Sequence, residues 1–178
     1  MMHMDLSPAS REPMRPPAPA KLLLGSFVAG LLLNLLPWSG WVLLVKPDFV
    51  LVVLLYWAMH ESRNVGQGWA FALGLVMDVA DSVLLGQHAL AYVAAVYLTQ
   101  LVRLRLFQLS VLEQALHVGG ILVVAQAINV LLNLSVGREF PGLLVALAPV
   151  MGAALWLPLH FIVIQPRLRH RDAVTLMR

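Results

Sequence analysis

The 178 residues are 60% hydrophobic and 12% charged, with a mean hydropathy of +0.82, well above the roughly 45–50% apolar content of soluble domains; this is the composition of an integral membrane protein. Cysteine is absent, which removes disulfides, thiolate nucleophiles and cysteine zinc sites, and a single domain's length of chain cut into apolar runs leaves no room for a separate soluble catalytic domain. The net charge of +3 and pI near 9.8 do not indicate nucleic acid, because the basic residues are dispersed rather than clustered with aromatics.

Residues 1–20, MMHMDLSPASREPMRPPAPA, contain Pro8, Pro13, Pro16, Pro17 and Pro19 and almost nothing that could build a core. They are expected to form a disordered, partly polyproline II, cytoplasmic tail. Lys21 and the apolar run after it have the form of the first two regions of a signal peptide. The following NLLPWSGW (34–41) offers no small-x-small cleavage site, so the segment reads as a retained first span.

Apolar segments at 21–37, 47–60, 66–81, 84–106, 109–135 and 142–165 predict an all-α, polytopic bundle of six transmembrane helices within a membrane domain of 21–166. The segment 47–60 is short, reaching only about 21 Å as a helix against a hydrocarbon core of roughly 30 Å. Bilayer thinning or a helical extension back through 41–45 would close that gap. A basic cytoplasmic tail, 167–178, ends the sequence.

Six spans with a cytoplasmic N-terminus place Arg11, Arg15, Lys21, Arg63, Arg103, Arg105, Arg167, Arg169, Arg171 and Arg178 inside, leaving only Lys46 and Arg138 outside. This is the bias expected from the positive-inside rule, and it puts both termini in the cytoplasm. Trp38 and Trp41 fall where an interfacial aromatic belt belongs.

Ionisable groups within spans are costly and are functional candidates by default. In the third segment Gly74, Asp78 and Asp81 lie at i, i+4 and i+7 and share one helical face. Gly86 permits a turn and His88 opens the fourth segment, so a contact from Asp78 or Asp81 to His88 across the turn is expected. Three roles stay open for this corner: structural hydrogen bonding, coordination of a proton or substrate, and a metal site for which no third ligand is visible. In the fifth segment Gly119, Gln126, Asn129 and Asn133 form a stripe of small and amide residues, suited to helix packing more than to a substrate groove. Glu113, Gln114 and His117 stand near the cytoplasmic start of that segment. Pro149, Gly152, Trp156, Pro158 and His160 in the sixth suggest a kinked helix, with His160 at an interface. HExxH, GxSxG and Walker A patterns are all missing, so no enzyme, cofactor or metal is expected.

One arrangement is specific. The proline-led KPDFVLVVLLYWAMH (46–60) passes through ESRNVGQG into WAFALGLVMDVADSVLLGQHALAYVAAVYL (69–98). Pro47, Tyr56, Trp57, Gly74, Asp78, Gly86, His88, Ala89 and Tyr92 resemble, in order and spacing, the pattern of the MreD family of rod-shape-determining proteins. The likeness is strongest over 46–105 and elsewhere rests on hydropathy and length. It implies a non-enzymatic scaffold of the bacterial inner membrane that acts in sidewall elongation. It also implies association with the bitopic protein MreC, with the glycosyltransferase RodA and its penicillin-binding transpeptidase, and directly or indirectly with MreB filaments. The family fold is similar to the substrate-binding subunits of energy-coupling-factor (ECF) transporters, so the alternative is a small-molecule-binding transporter subunit. The residues expected to form packing or partner surfaces are Pro47, Gly74, Asp78, Asp81, Gly86, His88, Tyr92, Gln126, Asn129 and Asn133.

Overall fold

The computed structural model describes the backbone of residues 19–175 and the side chains of 19–162, apart from Trp41 and Leu44. Most of the Pro-rich leader, 1–18, lies outside the described residues, as do 176–178. Among the described residues all regular structure is helical: α1 (Ala20–Leu35), α2 (Trp41–Val45), α3 (Phe49–His60), α4 (Gln67–Ala80), α5 (Gln87–Leu106), α6 (Val111–Ser135) and α7 (Leu147–Thr175), with a 3-10 turn at Leu143–Ala146 leading into α7. The helix of the last segment runs on through 167–175, which the sequence suggested would be tail.

Each helix buries the face its residue spacing dictates. In α1 the buried positions are Leu23, Phe27, Gly30 and Asn34, a stripe at steps of four, three and four that follows the helical period. In α3 the whole run Val50–Met59 is buried, the signature of a core helix. It is walled by α1, α5 and α7. This answers the length problem of the second segment: α3 meets protein rather than lipid along its sides, so its span of about 18 Å needs no thinned bilayer. The extension through 41–45 is not made, and proline is the reason. Lys46 precedes Pro47 and takes the extended conformation (φ −57°, ψ 122°) that the proline ring imposes on its predecessor. Trp41–Val45 is therefore a separate short helix, packed on α7 and on the 3-10 turn.

Three stretches are long and apolar enough to cross a membrane, Gln87–Leu106, Val111–Ser135 and Leu143–Ile162, whereas Ala20–Leu35, Phe49–His60 and Gln67–Ala80 are shorter apolar helices. The long helices also display large apolar side chains outward, among them Leu104, Leu116, Leu131 and Ile162, as a lipid-facing surface requires. Leaving aside the short α2, successive helices alternate in direction. The C-terminal ends of α1, α4 and α6 therefore gather with the N-terminal ends of α3, α5 and α7, and α2 covers the same end.

Candidate functional site

The polar residues of that shared end form two linked hydrogen-bonded units. The first is built where α4 turns into α5. Asp78, 1% exposed, points from the last turn of α4 across the loop. Its Oδ2 accepts from the backbone N–H of Gly86 (2.7 Å), and its Oδ1 accepts from the N–H of His88 (2.6 Å) and from His88 Nδ1 (3.0 Å). One carboxylate thus satisfies donors at the start of α5 that the helix cannot satisfy itself. Gly86 sits there at φ +96°, a left-handed conformation open to glycine at little cost.

Gly74 makes this geometry attainable. One turn before Asp78, a Cβ on residue 74 would lie 2.3 Å from the Cα of Ala89 and 2.5 Å from its backbone nitrogen. The helices α4 and α5 touch backbone to backbone there, as small residues allow in membrane bundles. Ala89 is itself buried. His88 Nε2 stands 3.7 Å from Asp81 Oδ2, beyond hydrogen-bond reach. Because a carboxylate oxygen accepts, Nδ1 is the donor in the His88–Asp78 bond.

The second unit joins α1, α3 and α5 through Asp48. Its Oδ1 caps α3 by accepting from Leu51 N (3.0 Å) and also accepts from Asn34 Nδ2 (2.9 Å). Its Oδ2 accepts from the hydroxyl of Tyr92 at 2.5 Å. Asn34, 4% exposed in the last turn of α1, receives Phe49 N–H on its Oδ1 (3.0 Å), while its backbone carbonyl receives Lys46 Nζ (3.0 Å). Buried polar groups are costly unless paired, and here the amide and the carboxylate pair with each other.

Between the two units lies a cavity of about 140 Å³. Asn34, Lys46 and Asp48 line one side, Asp81 and His88 another, and Gln126, Asn129, Pro149 and Gly152 of α6 and α7 complete the wall.

The structure thus brings Asp78, Asp81, Gly86, His88 and Gly74 together as the sequence suggested, and draws Tyr92 to Asp48. Pro47 serves by setting the break before α3. The stripe on α6 divides: Gln126 and Asn129 line the cavity, whereas Gly119 packs against Ala153, whose Cβ would stand 3.1 Å from a Cβ added at the glycine, and Asn133 binds Arg138 at 3.2 Å near the helix end. Among the described residues no group of three or more metal-binding side chains could hold an ion. At the opposite end, His160 stands 6.3 Å from His60 between ring centres, and Glu113 forms a capping box with Ser110 at the start of α6.

Asn34 and Asp48 are the residues that sequence reasoning missed. Both carried a signal: Asp48 follows a proline and precedes an apolar run, as an N-cap does, and Asn34 is an amide inside a hydrophobic segment.

A family model described as rod shape-determining protein MreD matches residues 19–165. The chain belongs to the MreD family. A Haemophilus influenzae protein described as rod shape-determining protein MreD is 32% identical over 118 residues, covering 66% of this chain and 73% of the relative. No solved structure matches the chain. Membership of the MreD family identifies the chain as a cell-shape-determining membrane protein, and the match takes in both polar units and every lining residue of the cavity.

Proposed function

We propose that this MreD-family chain is a non-enzymatic assembly protein of the cell-wall elongation complex, crossing the inner membrane six times with both termini in the cytoplasm. In this topology the Asp78–His88 corner and the cavity face the periplasm. The observation that carries the reading is how the buried carboxylates are used. Asp78 is committed to two backbone N–H groups and an imidazole, and Asp48 to a helix cap, an amide and a phenol. Carboxylates held in this way stiffen one end of a bundle, as a platform for other membrane proteins requires. The partners are an MreC-type bitopic protein, RodA with its transpeptidase, and MreB filaments on the cytoplasmic side. A lipid-exposed face rich in large apolar groups on α5–α7 leaves room for their spans.

Purification from native membranes in mild detergent, with co-purifying proteins identified by mass spectrometry, tests this. The wild type should bring down an MreC-type partner, and a stably inserted Asp78→Leu variant should bring down less. Recovery of an ATPase-bearing transporter module with no wall-elongation protein would overturn the proposal in favour of a transporter subunit.

A further inference from the structure

The helices that show apolar side chains to the outside are not of one length. α5 and α6 hold 20 and 25 residues, about 30 and 38 Å of helix, whereas α1 and α4 hold 16 and 14, about 24 and 21 Å. α3 is shorter still, but protein surrounds it. α1 and α4 have no such sheath. They stand side by side on one flank: Phe27 stacks on Trp69 with ring centres 5.4 Å apart, and further along Asn34 Nδ2 reaches Met77 Sδ at 3.7 Å. From this flank Leu24, Val28 and Leu32 of α1 and Phe71, Val76 and Val79 of α4 are exposed.

The shortfall of α4 lies at one end. At the Asp78 corner α4 and α5 are level, tied by the bonds to Gly86 and His88. At the other end a Cβ on Gly66, the residue before α4, would stand 3.7 Å from Gln100 Nε2. From Gln100 α5 runs on past the exposed Leu101 and Leu104 to Leu106, about 9 Å of helix beyond the start of α4. A short span is met by side chains that snorkel, by association with another helix or by a thinner bilayer, and tilt only shortens its reach. Snorkelling is closed to α4, because Gln67 and Gly68 open it, Asp81 and Ser82 follow it, and none has a long cationic stem. Neither end is free to lengthen: Asp78 ties down the last turn, and Val65, fully buried, holds the loop before the first. The exposed Leu84 and Leu85 belong to the turn in which the chain already reverses into α5. An apolar band about 21–24 Å tall against a hydrocarbon core of roughly 30 Å fits lipid with shorter chains. We infer that the α1–α4 flank holds a strip of thinned bilayer, selecting lipids with shorter acyl chains and drawing in the leaflet on the side of Gly66 and Gln100. In the topology proposed above this is the cytoplasmic leaflet. The inference rests on that topology, since α1 and α4 must cross the membrane, and it needs none of the partner proteins.

The test is quenching of tryptophan fluorescence by brominated lipid. The full chain is reconstituted in mixtures of dimyristoleoyl- and dieicosenoyl-phosphatidylcholine, with bromine on the chains of one or of the other. Val76→Trp puts a reporter near mid-height on α4, and Val123→Trp puts one at the middle of α6. Both valines are exposed whereas Trp57 and Trp156 are buried, and the unsubstituted protein gives the background of the native tryptophans. At residue 76 the short chains should be preferred by about twofold, which is ~0.4 kcal/mol per lipid. At residue 123 they should not be preferred. Because the chain has no cysteine, Asn64→Cys and Ser82→Cys, made singly, report sidedness, and labelling from opposite faces of the membrane shows that α4 crosses it. Equal quenching by the two lipids at residue 76, the same preference at both residues, or a residue 76 that neither lipid quenches, as a second copy covering the flank would give, each overturns the inference and leaves an α4 labelled from opposite faces standing as a span. Labelling of both cysteines from one face would overturn the inference and the topology together.

Discussion

Replacing Gly74 with alanine adds one methyl group, yet it should disable the whole α4–α5 corner. A Cβ there would lie 2.3 Å from the Cα of Ala89 and 2.8 Å from the carbonyl carbon of His88, and neither is the movable end of a side chain. Ordinary carbon contacts need about 3.5–4.0 Å, so the helices must part locally by about 1.2–1.7 Å. Asp78 lies one turn away, and its bonds to Gly86 and His88, now 2.6–3.0 Å, would stretch past the hydrogen-bond limit of about 3.5 Å. Overpacking alone costs about 1–3 kcal/mol. A lost bond to a charged acceptor adds about 1.5–3 kcal/mol, so if relaxation of the turn restores all but one of them a total of about 2.5–6 kcal/mol is expected. Thermal unfolding in detergent, followed by tryptophan fluorescence, measures it. Since Gly74 and Asp78 act through the same contact, Gly74→Ala and Asp78→Asn should be strongly non-additive when combined. A Gly74→Ala protein within about 1 kcal/mol of wild type, or full additivity in the double mutant, would refute the reasoning.

Asp78→Asn should cost about 2 kcal/mol, because its one carbonyl can still serve His88 while the Gly86 N–H loses its acceptor; Asp78→Leu strands all three donors and should unfold at a lower temperature than Asp78→Asn in the same assay. Tyr92→Phe removes the donor from Asp48 Oδ2 and should destabilise by about 1–3 kcal/mol, visible as a lowered unfolding midpoint. Asn34→Leu takes away the acceptor for Phe49 N–H and a donor to Asp48. It should be more damaging than Tyr92→Phe, and hydrogen exchange at the start of α3 should rise.

The corner was legible because its pieces are local. Asp78, Asp81 and His88 are close in sequence, so helical spacing and a glycine that permits the turn suffice to bring them together. Tyr92 was singled out by resemblance, but its partner was not, because the bond to Asp48 joins residues far apart in sequence and depends on how α3 and α5 pack. The cavity was invisible for the same reason: Gln126 and Asn129 look like packing residues along α6, and only the approach of α1, α4 and α7 shows what they face. The division of Trp41–Val45 from α3 could have been read directly, since Pro47 dictates the backbone of Lys46.

The burial of α3 on every side bears on how the molecule is made. This helix is synthesised well before α7, yet its sheath includes α7. Until that helix arrives, one flank of an apolar rod about 18 Å long is too short to match a bilayer and has no protein to cover it. Completion of the native packing therefore waits for α7 to be synthesised. A chain truncated before α7 would leave its own centre exposed, a defect that membrane proteases can recognise.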